Sequence, residues 1–482
     1  MPSSRVVRVR SADHGVAAAT LRAGIERIRS DLDAAPDFPA EVEAAAAAAA
    51  AAPRLPDLDR TDVPFVTIDP PGARDLDQAM HLSRDGSGYV VQYAIADVAA
   101  FVSPGDPVDV EAHRRGETLY GADSKVPLHP AVLSEGAASL LPGEERPVLL
   151  WTTRLDEEGT RTDVRVERAR VRSTAQLTYE EVQAQVDAGT ADGSLALLRE
   201  IGELRLAREA ARGGVDLPLP EQEVDVAGER WHLEFRQQLP AERWNAQISL
   251  LTGFAAADLM LYARVGLLRT LPPPDPRDVQ RLHRTARALG IDWPAEVLYP
   301  DFVRALDPSV PAHAAMVNAS ARLLRGSGYV AFDGETPAQP LHSALAEEYA
   351  HVTAPLRRLG DRYAGEVCLA LCAGTDVPEW VRAALPALPK TLQSSGSRSR
   401  AYERAVLDLV EAGVLADRVG DVFPGVVVDV DEDDARRGVV VLHDPDVEAR
   451  VVSSTPLPLG TDLQVRLTVA DVEARRVEFA PA

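Results

Sequence analysis

Thr67-Ile68-Asp69-Pro70-Pro71-Gly72-Ala73-Arg74-Asp75-Leu76-Asp77-Gln78-Ala79 is the most chemically loaded stretch of the chain. An apolar strand delivers Asp69 to a loop that Pro70, Pro71 and Gly72 force to turn, and two more carboxylates follow at Asp75 and Asp77. Three acids converging from a strand end and a tight loop make a hard-oxygen donor set. Such a set suits Mg²⁺, which binds through carboxylates together with waters and substrate phosphates. Without a cation the cluster repels itself, so either a metal sits there or some of the carboxyl pKa values rise. A bare Asp-x-Asp is equally the pattern of a solvated, Asp-rich turn. An EF-hand is a poor fit, because neither the central Gly nor the closing Glu is correctly spaced.

Outward from this stretch the pattern is α+β. Residues 65–68, 89–94, 148–155 and 163–171 read as strands, punctuated by Gly, Pro and Asp turns. The chain turns helical over 178–212, and helices dominate from 243 to 373 and from 379 to 416. Beyond Gly420 five short apolar runs, 422–430, 438–442, 448–452, 462–469 and 476–479, suit a small closed barrel of the OB type. Periodicity alone does not separate that barrel from a small sandwich. Ahead of the acidic stretch, 14–33 and 39–52 read as helices. The second ends in nine consecutive alanines that favour helix but supply little to pack, as in a surface helix or a tether. The domains expected are a helical segment and linker over 1–60, a catalytic domain over 61–419 and a terminal barrel over 420–482.

A chain of 482 residues with 46% hydrophobic and 26% charged residues has the balance of a folded, soluble, multidomain protein. The basic start, residues 1–10, has no apolar run behind it and reads as no secretory leader. The most apolar helical stretch, 248–271, carries Asp258, Arg264 and Arg269 and reads as a core helix, not a membrane span. Cys368 and Cys372 read as packing residues, and a cytoplasmic location is expected. The net charge of −23 argues against a polyanionic partner. A local cationic channel inside an acidic shell still permits one, so local motifs decide.

Those motifs carry a resemblance. Thr67-Ile68-Asp69, five further residues and then Asp75-Leu76-Asp77 resemble the signature of the ribonuclease II (RNB) catalytic domain. The likeness continues in order through Tyr93-Ala94-Ile95-Ala96-Asp97-Val98, Leu119-Tyr120, Pro127, Pro130, Leu133-Ser134, Ser139-Leu140 and Arg146. It ends in Tyr349-Ala350-His351-Val352-Thr353-Ala354-Pro355-Leu356-Arg357-Arg358 with Asp361. The resemblance covers about residues 60–420 plus the terminal barrel. It implies an RNB catalytic domain with a C-terminal OB-fold-like barrel. The implied activity is a 3′-to-5′ exoribonuclease that hydrolyses single-stranded RNA to 5′-mononucleotides with Mg²⁺ or Mn²⁺.

Residue by residue, the resemblance implies catalytic roles for Asp69, Asp75, Asp77 and Arg357. It implies metal ligation by Asp69, Asp75, Asp77 and Gln78, the last standing where the family has a fourth aspartate. Tyr120 is implied as a base-stacking ring, Arg358 as a phosphate contact, and Glu403 as a neighbour of the RNA terminus. Ala354 and Leu359 replace a family Ser and Tyr. The family's N-terminal cold-shock barrels have no counterpart expected in the first sixty residues. The basic, Ser-rich run 394–400 reads as a flexible RNA contact or a linker. A monomer acting on RNA, with no membrane partner, is expected. Two other readings stay open: an RNA-binding or regulatory relative disabled by Gln78, and a hydrolase of some other phosphate ester.

Overall fold

A computed structural model describes residues 9–10, 18–122, 124–217, 221–227, 230–442 and 444–482. The expectations on residues 1–8 and 14–17 lie outside the described residues. Five strands, Phe65–Ile68 (β1), Gln78–Asp85 (β2), Gly88–Ala96 (β3), Glu145–Leu155 (β4) and Arg161–Leu177 (β5), form a closed barrel. Each pairs antiparallel with the next, and β1 closes on β5 in parallel. The closing seam positions the site: Ile68 is paired with Leu177, and the Asp69 amide donates to the Leu177 carbonyl at 3.0 Å. At the start of β2, the Ala96 amide donates to the Asp77 carbonyl at 2.9 Å. The acidic loop is therefore tied at both ends to one mouth of the barrel.

Helices cover the barrel. Those used below are Ala18–Asp31 (α1), Ala40–Ala51 (α2), Pro107–Arg115 (α3), Gly193–Ala211 (α4), Pro240–Ala263 (α5), Leu359–Ala373 (α6) and Leu388–Leu415 (α7). Ile248, Leu251, Ala255 and Met260 of α5 share one core with Leu198 and Ile201 of α4, Tyr363 and Val367 of α6, and Tyr93 and Trp151 of the barrel. By length and composition α5 could cross a membrane. Fifteen of its 24 residues, however, are buried inside the protein, which is the pattern of a core helix.

The run 248–271, expected as one helix, is a helix followed by a strand. Arg264 takes a left-handed φ of 58° after α5, and Val265–Thr270 pairs antiparallel with Gly328–Asp333 inside a region expected to be helical. Residues 394–400, expected as a flexible run, lie inside α7, where Ser395 is buried and packs at Gly116. The alanine-rich α2 is no free tether. Val42 and Ala46 are buried in a core with Phe65, Val98 and Val108.

The C-terminal strands Val422–Val430 (β6), Arg437–Leu442 (β7), Glu448–Val452 (β8), Asp462–Asp471 (β9) and Arg476–Pro481 (β10) close in the order β6-β7-β8-β10-β9, with β8 and β10 parallel. This is the OB order and removes the sandwich alternative. Its core residues Phe423, Val427, Leu467 and Phe479 are continuous with Leu21, Ile25 and Ile28 of α1 and Val406 and Val410 of α7. The N-terminal helix and the terminal barrel are thus built onto one shared core.

Candidate active site

Two segments far apart in sequence meet at Asp77. The Leu356 amide donates to Asp77 Oδ1 at 2.7 Å, and Arg357 Nη1 lies 3.6 Å from Asp77 Oδ2. The turn that presents both groups is held from behind. Asp361 Oδ2 accepts from the Ala354 amide at 2.8 Å, and the Arg358 fork grips the same carboxylate at 3.0 and 2.7 Å. A bidentate Arg–carboxylate pair fixes orientation as well as charge. Arg358 thus braces the turn that aims Arg357.

Asp77 is shut from solvent, while 38% of the Arg357 side chain remains open to it. The arginine can therefore reach a ligand without leaving the carboxylate. Burial pushes the Asp77 carboxyl up to about 7 and that of Asp69 up to about 6, in both cases against the pull of Arg357. Asp69 Oδ2 and Asp77 Oδ2 are both buried without a hydrogen-bond partner. An orphaned buried carboxylate oxygen is costly, and a cation relieves it. These two residues therefore fit a divalent ion.

Asp75 is differently placed. Its Oδ1 accepts from Lys125 Nζ at 2.7 Å, and Tyr120 Oη lies 3.5 Å from Oδ2, at the outer limit of a hydrogen bond. Among the described residues no three His, Cys, Asp or Glu side chains gather closely enough to hold an ion by themselves. The Gln78 amide is turned into the protein, where Nε2 donates to the Thr353 carbonyl and Oε1 accepts from Tyr93 Oη at 3.3 Å. Gln78 thereby ties the barrel to the segment that carries Arg357.

Of the residues singled out in the sequence, Asp69, Asp75, Asp77, Tyr120 and Arg357 form one group, with Gln78 at its edge. Arg358 and Glu403 belong to an adjoining one. Glu403 accepts from Ser399 Oγ at 3.0 Å, and burial raises its carboxyl pKa. It faces Glu117, whose own carboxyl burial pushes up to about 7 and whose Oε1 has no hydrogen-bond partner. Glu117, Lys125 and Glu135 were missed in the sequence. Lys125 contacts Glu135 as well as Asp75, and the sole signal available was its type, one of two lysines among 51 basic residues.

Comparison with known proteins bears on the family and the fold. The family model described as RNB domain matches residues 58–370, and that of the RNase II-type exonuclease C-terminal S1 domain matches residues 421–482. Ribonuclease R of Escherichia coli (strain K12) is 27% identical over 468 residues, covering 88% of this chain and 57% of that protein. The chain thus spans little more than half the length of that curated relative. Mycoplasma genitalium RNase R, solved in complex with ribose methylated single-stranded RNA, superposes with a TM-score of 0.84 at 20% identity. That match covers 96% of this chain and 78% of the other. Yeast Ssd1, a pseudonuclease, gives a TM-score of 0.71 at 15% identity over 94% of this chain and 57% of its own. Both likenesses show the fold.

Proposed function

This chain belongs to the RNB-domain family, and from that premise we propose that it is a cytoplasmic exoribonuclease. It degrades single-stranded RNA hydrolytically from the 3′ end to 5′-mononucleotides, with Mg²⁺ or Mn²⁺. One observation carries the reading: two segments 279 residues apart are brought together so that a buried carboxylate, Asp77, and a half-open guanidinium, Arg357, face the same space. An acid that binds a cation and a fork that binds phosphate oxygens are the two charges that phosphodiester hydrolysis needs side by side.

Asp69 and Asp77, with Asp75 beside them, would hold the divalent ion. When bound, such an ion lowers the pKa of a water and polarises a phosphoryl oxygen. Arg357 meets the negative charge that builds on the equatorial oxygens of the scissile phosphate. The water oxygen bonds to phosphorus, and the 3′ oxygen of the penultimate nucleotide leaves with a proton. The released nucleotide keeps its 5′ phosphate. The Tyr120 ring offers a platform for a terminal base, and stacking is indifferent to base identity.

The test is digestion of 5′-labelled oligo(A) by the full chain with Mg²⁺, resolved to single nucleotides, with Asp77→Asn as control. A ladder that shortens from the 3′ end in wild type alone supports the reading. A specific observation favours a second one. The Gln78 amide is committed to Thr353 and Asp75 to Lys125, so the donor set open to an ion is small. Oligo(A) bound but left intact by wild type would select this reading, an RNA-binding relative without turnover.

A further inference from the structure

Asp75 is the one acid of the stretch with a direct hydrogen bond from a cationic side chain; Asp77 has the Arg357 guanidinium only at 3.6 Å. Lys125 Nζ sits between two carboxylates, 2.7 Å from Asp75 Oδ1 and 2.8 Å from Glu135 Oε1. Its placement is built in. Leu119–Tyr120 pairs with Lys125–Val126 in a short antiparallel ribbon in which Tyr120 and Lys125 are register partners, and both reach Asp75. Only a quarter of the Lys125 side chain is exposed, and Asp75 and Glu135 are 14% and 27% exposed. This is no solvated surface pair.

The residue type is informative too. The chain uses arginine almost everywhere else, and an arginine is a planar fork, whereas an ammonium is a compact point charge with three rotatable donors. A compact charge between two carboxylates has the shape and sign of a small hydrated cation. By contrast, Asp69 Oδ2 and Asp77 Oδ2 are left without hydrogen-bond partners, the latter 3.6 Å from a guanidinium that stays 38% exposed. The group thus divides into one acid hydrogen-bonded to an ammonium and two that each keep one buried oxygen without a hydrogen bond, open to an ion.

We infer that Lys125 is a resident cation that takes the place at Asp75 a second divalent ion would otherwise fill, so that the site holds one exchangeable metal, on Asp69 and Asp77. Lys125 is a positioning residue in this scheme, and the inference rests on the metal-dependent reading above. Lys125→Met, matched in length and neutral, would free Asp75 and Glu135 and open a second ion site. Lys125→Arg would keep the charge and the single site.

Mn²⁺ binding to the full-length chain, counted by electron paramagnetic resonance titration, tests this without reference to turnover. One Mn²⁺ per chain is expected for wild type and Lys125→Arg, and two for Lys125→Met. Adding Asp75→Asn to Lys125→Met should return the count to one. A purely structural ion pair would change thermal stability and leave the count alone. Lys125→Met binding one Mn²⁺ with unaltered affinity would overturn the role of Lys125 and spare the metal reading. Wild type binding none would take down both. Wild type binding two would overturn the inference with no variant needed, which keeps the test decisive even if Lys125→Met does not fold.

Discussion

At Asp77 a carboxyl group is withdrawn from water, given one backbone hydrogen bond and left with an oxygen 3.6 Å from a guanidinium. Asp77→Asn keeps that backbone bond and removes the charge, so oligo(A) cleavage should vanish while RNA binding persists; a variant that cuts at near wild-type rate removes Asp77 from the chemistry. The same substitution has a pH signature in the metal-free protein. Burial raises the Asp77 pKa from 3.8 to about 7, so the folded state holds the proton more tightly than the unfolded chain does. Stability from this group is then complete below about pH 4 and lost as pH rises through about 7. Metal-free Asp77→Asn should match wild type near pH 4 and be more stable at pH 8, by at most about 4 kcal/mol at ~1.4 kcal/mol per pKa unit, and so melt at a higher temperature there. Excess Mg²⁺ should close that gap by stabilising wild type alone. Equal melting at both pH values would mean that Asp77 is compensated in the apo protein. Arg357→Lys keeps a charge and loses the fork. It should lower kcat by on the order of 10²-fold with little change in KM for a long oligo(A), because the contact strengthens as charge develops. A raised KM with unchanged kcat would make Arg357 a simple phosphate clamp. Gln78→Asp adds an anion beside Asp77 and deletes the donor to Thr353. It should lower the Mg²⁺ needed for half-maximal activity and cost about 1–2 kcal/mol through an unpaired carbonyl. Unchanged metal dependence would place Gln78 outside the ion's surroundings.

Among the elements, the crossing of α1 and α7 depends on two glycines. A Cβ at Gly24 would fall 2.7 Å from Leu409 Cδ2, and one at Gly413 would fall 2.6 Å from Leu21 Cδ2. Gly413→Ala should therefore destabilise by about 1–3 kcal/mol through overpacking. At Gly396, on α7 beside Glu117 and Arg400, the added methyl meets nothing closer than 3.5 Å. Gly396→Ala should stabilise by about 0.5–1 kcal/mol through helix propensity alone. Chemical denaturation of both variants checks the pair, and a shift of the same sign in each would refute this packing. The same helix shows where sequence reading stops. Its run 394–400 has the composition of a linker, yet Ser395 packs at Gly116 and Arg398 donates to the Arg115 carbonyl, contacts that only the folded chain supplies. Strand β1 and the five terminal strands were legible because alternation and turn residues are local signals. The break at Arg264 was not, since leucines run through it and only pairing with Gly328–Asp333 makes the second half a strand. Asp69, Asp75 and Asp77 were legible from spacing. Glu117 and the Lys125–Glu135 pair were not, because a lone charge in sequence carries no sign of the partner it will meet.

For the whole molecule, the proposed function raises the question of how a chain of net charge −23 would take hold of RNA. Part of the acidity is used internally. On the terminal barrel, Asp429 takes Arg322 Nη2 at 2.6 Å through both oxygens, and Glu432 takes Arg281, tying the barrel to the helices beside it. The rest leaves the chain net negative, while at the described site Arg357 keeps 38% of its side chain exposed. Repulsion between that net charge and RNA acts at long range and is screened by salt, with a Debye length of about 30 Å at 0.01 M and about 8 Å at 0.15 M. Contacts that Arg357 and its neighbours would make with phosphate are short-range and would form after encounter. Raising salt over that interval should therefore leave the association rate for oligo(A) level or increase it, while the dissociation rate climbs. A basic RNA-binding protein behaves oppositely, because its field steers the ligand in and salt weakens the steering. Stopped-flow fluorescence with Asp77→Asn, which does not consume the RNA, separates the two rates. An association rate that falls steeply with salt would show that a local cationic path governs capture even against the net charge.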